Sequence, residues 1–165
     1  MVARVWEEKG VKVPASEAWK LYGSLQLGKL VEEALPNVVS RIEVVQGDGS
    51  AGTILQVVLP PAGTAGLTSY KEKYTVVDEE RRVKEAEVVE GGVLDLGFTL
   101  YRVRTEVMEK EGKKEECVVR ATIEYELKEE AAASAAALVS IEPLVAVMQL
   151  AADHLTQNYT TTTTN

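Results

Sequence analysis

The stretch Cys117-Val118-Val119-Arg120-Ala121-Thr122-Ile123-Glu124-Tyr125-Glu126 changes character at every second residue. Cys117, Val119, Ala121, Ile123 and Tyr125 form an apolar set. Arg120, Glu124 and Glu126 interleave with it, which predicts a strand with one face buried and the other in water. The same period runs upstream to Val38. It is broken by turn residues at Gly47-Asp48-Gly49, Pro60 to Gly66, Asp78 to Glu80, Gly91-Gly92 and Glu109 to Lys114. These breaks divide residues 38–127 into six strands, and strands joined in order by short hairpins make an antiparallel sheet.

After Lys128 the period changes. An alanine-rich run opens a helical pattern that continues to about Gln157 through Leu138, Ile141, Leu144, Val145, Met148, Leu150, Ala151 and Leu155. Pro143 is expected to kink it. Residues 158–165 are polar, lack a helical period and are expected to form a disordered tail. At the other end, residues 1–13 alternate weakly as a seventh strand. A helix then opens at Ala15-Ser16-Glu17 behind a Ser-type cap, is interrupted at Gly23-Ser24, and resumes through Leu27, Leu30, Val31, Ala34 and Leu35 until Pro36. Two short helices in a V result. The expected architecture is one α+β domain over residues 1–157, with a seven-stranded antiparallel sheet closed by a long C-terminal helix.

Composition narrows the function. The 165 residues carry 18 basic and 26 acidic side chains, a formal charge of −8. That charge repels phosphate backbones and anionic lipid, which argues against nucleic acid as a partner and against a nuclease. The single cysteine, Cys117, excludes an internal disulfide, and Met1 to Gly10 has no signal-peptide character. No run approaches the roughly 20 apolar residues of a membrane span, so the expectation is a cytoplasmic protein without a membrane partner. Asn158-Tyr159-Thr160 matches a glycosylation acceptor but is idle without a secretory route.

The glycine-rich run Gly47-Asp48-Gly49-Ser50-Ala51-Gly52-Thr53 lacks the Lys-Ser/Thr ending of a phosphate loop and lies between strands, so it is read as a structural hairpin built on Gly47, Gly49 and Gly52. This loop, together with the order strand, two short helices, six strands and long helix, resembles the birch-pollen-allergen or intracellular pathogenesis-related class-10 family over residues 1–157. The resemblance implies a helix-grip fold: a curved sheet wrapped around the long helix, leaving an internal cavity for small, largely apolar molecules.

Ionisable side chains on apolar strand faces are the informative residues, because burial without a partner costs several kcal/mol. In Ser69 to Val76, Tyr70, Glu72, Tyr74 and Val76 share one face, and Lys71, Lys73 and Thr75 the other. In Arg82 to Val88, Lys84 lies with Ala86 and Val88. Glu72 and Lys84 therefore point inward as candidates. They are either a structural ion pair, residues turned outward by a register one position off, or a functional site in which a desolvated lysine exchanges protons or attacks a carbonyl and a desolvated glutamate serves as base.

The runs Tyr70-Lys71-Glu72-Lys73-Tyr74, Arg82-Val83-Lys84 and Gly91 to Phe98 resemble strands of the norcoclaurine synthase and norbelladine synthase branch of that family. This resemblance implies cofactor-independent condensation of a dopamine- or tyramine-like phenethylamine with an aryl aldehyde to an imine, with Pictet-Spengler cyclisation as a further step. It implies Lys84 for carbinolamine dehydration, Glu72 as the base for ring closure and Tyr70 as the residue that polarises the site. The branch's inward aspartate falls on Val103, as an apolar residue does in norbelladine synthase-like proteins. Tyr74, Tyr101, Val103, Ile123, Tyr125, Leu144 and Met148 are the expected substrate-contacting residues. The alternative is a non-catalytic carrier of small hydrophobic ligands, of the cytokinin- or flavonoid-binding type. No metal site is expected: Cys117 reads as a small buried hydrophobe, the lone His154 as a helix-end residue and Asp95 as a turn residue. The expected assembly is a monomer or weak dimer.

Overall fold

The computed structural model describes residues 2–61, 66–131 and 139–163. Seven strands, β1 (Ala3–Val11), β2 (Arg41–Gln46), β3 (Ile54–Val58), β4 (Ser69–Asp78), β5 (Val83–Gly91), β6 (Phe98–Lys110) and β7 (Lys113–Leu127), form one antiparallel sheet in the order β1-β7-β6-β5-β4-β3-β2. Hairpins join β2 through β7 in sequence. β1 crosses to the far edge, setting Val5 opposite Ile123 and Val11 opposite Cys117. Among the described residues the α-helices are α1 (Ala15–Tyr22), α2 (Gln26–Ala34) and α3 (Glu142–Thr163).

The apolar set of β7 is inside as its alternation requires, with Cys117, Val119, Ala121 and Ile123 all buried. Val119 and Cys117 pack with Trp19 and Tyr22 of α1 and with Met148 and Ala151 of α3. A second cluster joins Val31 of α2 to Leu55, Val57 and Tyr74 of β3 and β4. The glycine-rich run is a hairpin between β2 and β3, with Gly47, Gly49 and Gly52 all at positive φ. Its amides are used internally: Gly49 N–H donates to Thr53 Oγ1, Ser50 N–H to Asp48 Oδ1, Thr53 N–H to the Ser50 carbonyl and Gly52 N–H to the Tyr74 carbonyl. None of these four remains to cradle an anion.

Pro14, not a serine, precedes α1, and its carbonyl accepts the Glu17 and Ala18 amides. Within the alanine-rich run, Glu129–Ala131 make a 3-10 turn, while residues 132–138, Leu138 included, lie outside the described residues. α3 starts at Glu142, so Pro143 falls in the first turn, where its missing N–H has no intrahelical acceptor to lose and no kink follows. At its other end α3 runs on to Thr163, overriding the disordered tail expected from residue 158; 164–165 lie outside the described residues. The extension is held where Tyr159 packs on the α1–α3 cluster and donates its hydroxyl to Glu115. On the outer face of β7, Glu124 was expected in water but is 6% exposed. Arg4 on β1 (2.8 Å) and Arg102 on β6 (3.2 Å) reach across it from both sides and cover it.

Candidate functional site

The inner face of the sheet is built from cross-strand pairs. Glu72 on β4 lies between Leu55 of β3 and Val88 of β5, and Tyr70 lies opposite Val57. On β5, Lys84 lies between Val77 of β4 and Thr105 of β6. Ala86 lies opposite Val103, which in turn faces Ile123 of β7. A bulge at Thr75 resets the parity of β4, so Val77 rather than Val76 turns inward to join both core clusters. Upstream of that bulge the alternation holds, and both Glu72 and Lys84 face the interior. A register error is thereby removed.

Lys84 is 7% exposed. Its Nζ sits 5.0 Å from the centroid of the Tyr74 ring, a cation–π contact, and it is coupled to Glu72 through the field rather than clasped in an ion pair. Burial lowers the lysine to about 8, against the opposing pull of the Glu72 carboxylate. Burial likewise raises Glu72, with Lys84 pulling the other way. The hydroxyls of Tyr70, Tyr74 and Tyr101 are all pushed upward, by burial first, so they are neutral donors at physiological pH. A lysine brought down toward neutrality can both give and take protons near physiological pH.

Next to this group lies a cavity of about 440 Å³. Tyr70, Val88, Tyr101, Val103 and Ile123 form its sheet wall, Pro143, Leu144 and Val147 its helix wall, and Gly92, Val93 and Leu96 of the 3-10 turn Gly92–Leu96 one end. Asn37, Val38 and Val39 after α2, Leu59 and Leu67 from the β3–β4 connection, and Ser140 also line it. Gly92 has a specific task here: at φ +55 its missing Cβ would stand 2.8 Å from Tyr70 Cβ, so a side chain would displace the tyrosine. A hollow of similar size on the outer face is lined by Arg4, Arg102, Arg104, Glu85, Glu106 and Glu124 among others, but these arginines are already paired with carboxylates.

Of the residues expected to contact substrate, Tyr101, Val103, Ile123 and Leu144 line the cavity, as does Tyr70. Tyr74 instead packs in the β3–β4 cluster beneath Lys84. Tyr125 leans on Phe98, with ring centroids 6.1 Å apart. Met148 is core, its carbonyl accepting the Tyr22 hydroxyl at 3.0 Å. Glu72 and Lys84 stand one rung beyond the lining, Lys84 diagonal to Val103. Sequence reading missed Val147, because a helical stripe gives a period but not its centre. Leu144 and Val147 point one way, while Met148 falls on the core side. It also missed the loop walls, which follow no period. Among the described residues no cluster of His, Cys, Asp or Glu could hold a metal, and no helix is long and apolar enough to cross a membrane. Cys117, raised to about 11 mainly by burial, is an inert thiol.

Glu72→Gln is expected to move Lys84 further below about 8, since the lost carboxylate favoured its charged form. Side-chain NMR titration of Lys84 measures this, and an unchanged or raised midpoint contradicts the coupling.

A sheet closed by one long helix over an apolar cavity, with a buried amine and a half-buried carboxylate and phenols at one side, defines a small-molecule-binding fold with the means for proton transfer. The chain matches the pathogenesis-related protein Bet v 1 family over residues 1–158 and belongs to it. It is similar to norbelladine synthase of Narcissus pseudonarcissus, with 41% identity over 150 residues, 91% of this chain and 90% of that one. It is also similar to S-norcoclaurine synthase 2 of Papaver somniferum, 36% identical over 85% of this chain, which spans 59% of that relative's length. Among solved structures, truncated norcoclaurine synthase from Thalictrum flavum superposes with a TM-score of 0.83 at 31% identity over 94% of each chain. The same enzyme in complex with dopamine and hydroxybenzaldehyde superposes at 0.82, over 94% of this chain and 87% of that one.

Proposed function

We propose that this protein condenses a phenethylamine with an aryl aldehyde in the inner cavity. The observation that carries the reading is the placement of Tyr70, Glu72 and Lys84 on one inward face beside an apolar space of about 440 Å³. The kinship with norbelladine and norcoclaurine synthases supports it. In the proposed sequence the aldehyde oxygen accepts a hydrogen bond from Tyr70, and the substrate amine adds to the carbonyl carbon to give a carbinolamine. The Lys84 ammonium protonates the departing hydroxyl, water leaves and an iminium remains. The step is redox-neutral: amine, aldehyde and one proton give iminium and water. For a catechol amine, Glu72, raised by burial, takes the ring hydroxyl proton and drives attack of the ring carbon on the iminium. The remaining walls hold the two aromatic rings and exclude water that would hydrolyse the imine.

The test is incubation with a dopamine- or tyramine-like amine and 4-hydroxybenzaldehyde, with and without cyanoborohydride to trap the imine as a secondary amine. Acceleration of trapped or cyclised product over buffer is expected. Saturable binding of both substrates with no acceleration would leave a hydrophobic-ligand carrier instead. A cytosolic location suits a chain with one buried, unpaired cysteine.

A further inference from the structure

Buried amines in folded proteins are paired, because an isolated charge in an apolar setting is costly. Lys84 breaks that pattern. It is 7% exposed, and among the described residues it makes neither a hydrogen bond nor an ion pair. Its cross-strand neighbours, Val77 and Thr105, offer no charge. By contrast, Lys71 on the next strand reaches Glu90 at 3.2 Å and Lys20 reaches Glu17 at 2.9 Å. Its Nζ lies 5.0 Å from the centroid of the Tyr74 ring, a cation–π contact that favours the ammonium and engages no lone pair when the amine is neutral. The result is a primary amine on the inner face, diagonal to the cavity residue Val103, whose lone pair is free once its proton departs.

We propose that Lys84 is also a nucleophile, and that an aryl aldehyde in the cavity forms a covalent iminium with its side-chain nitrogen when no amine substrate is present. The inference rests on the reading of the cavity as an aldehyde site. The nitrogen lone pair adds to the aldehyde carbon, and the carbonyl π pair moves to oxygen, which takes a proton. The resulting carbinolamine loses that oxygen as water with one further proton, leaving Lys84 doubly bonded to carbon. The net change is lysine amine, aldehyde and one proton to iminium and water, with no oxidant or reductant. A substrate amine arriving later adds to the same carbon and expels Lys84 as free amine, giving the same substrate imine as direct condensation. Burial, which brings this lysine to about 8, makes the free base available at lower pH than on a surface lysine.

The experiment incubates the full chain with 4-hydroxybenzaldehyde and cyanoborohydride, without amine, near neutral pH. Intact-mass and peptide-mapping analysis then locate the reduced adduct. A single adduct on Lys84 is expected, and it should be absent from Lys84→Met. Label spread over surface lysines such as Lys73 with Lys84 unmodified overturns the proposal, and the native protein alone decides this however the variant folds. Condensation is measured on the same preparation. Turnover without a Lys84 adduct defeats this inference and leaves the proposed function standing, whereas an adduct without turnover does the reverse.

Discussion

Lys84→Met should lower amine–aldehyde condensation by about 100- to 10,000-fold, the usual range for removing a positioned proton carrier, while leaving the fold close to native. Methionine keeps most of the length and the apolar stem of lysine, so Tyr74 keeps a neighbour beside its ring and Val77 and Thr105 keep their cross-strand neighbour. What disappears is an amine that burial already disfavours when charged. Loss of a charge with no ion pair removes a desolvation cost along with the function, so the thermal midpoint should stay level or rise. Initial rates of trapped imine and a melting curve on the same sample make the measurement. Undiminished turnover in a folded Lys84→Met protein ends the proton-transfer role for this residue.

Glu72 and Lys84 were legible because a strand's period of two leaves an ionisable residue conspicuous among apolar neighbours, and six of the seven strands are hairpin partners whose turns are marked by glycine or charge. The same rule failed at Val76, since nothing in Tyr74-Thr75-Val76-Val77 announces the bulge that hands the inward place to Val77. It failed differently at Glu124. Alternation names the face of a strand, but only the arrival of Arg4 and Arg102 from its two neighbours decides whether that face is wet. The cavity was legible through resemblance and its sheet wall through alternation. Its end was not, because Gly92, Val93 and Leu96 come together in a 3-10 turn whose packing against Tyr70 depends on a glycine at positive φ. The C-terminal residues show the limit of composition: a threonine-rich end reads as tail until one anchor, Tyr159, finds Glu115 on β7.

Val103→Asp separates the two chemical steps of the proposed reaction, since dehydration and ring closure ask for different groups. A proton carrier suffices to expel water from the carbinolamine. Closure also needs the amine-bearing chain held in one pose while Glu72 deprotonates the ring hydroxyl. The native cavity offers no carboxylate at position 103: the residue is a valine between Ala86 and Ile123, with Tyr101 beside it on the same face. The native protein is therefore expected to form the imine more readily than it closes the ring. An aspartate there projects into the cavity within a diagonal of Lys84, where it can hold a substrate ammonium. The cost is burial, up to several kcal/mol of stability unless the substrate or Lys84 pairs with the new carboxylate. Pairing also has a sign: a nearby anion favours charged Lys84 and should raise it above about 8, opposite to the effect of Glu72→Gln. The expected result is a larger share of tetrahydroisoquinoline from a catechol amine, a pH optimum displaced upward and a lower melting temperature. Chiral chromatography of both proteins' products across a pH series, with a parallel reaction containing reductant to capture uncyclised imine, reads the first two, and a melting curve reads the third. Rapid, highly stereoselective cyclisation by the native chain, unaltered by Val103→Asp, would mean that the amine is anchored elsewhere, leaving the Tyr70 and Asn37 ends of the cavity as the places to look.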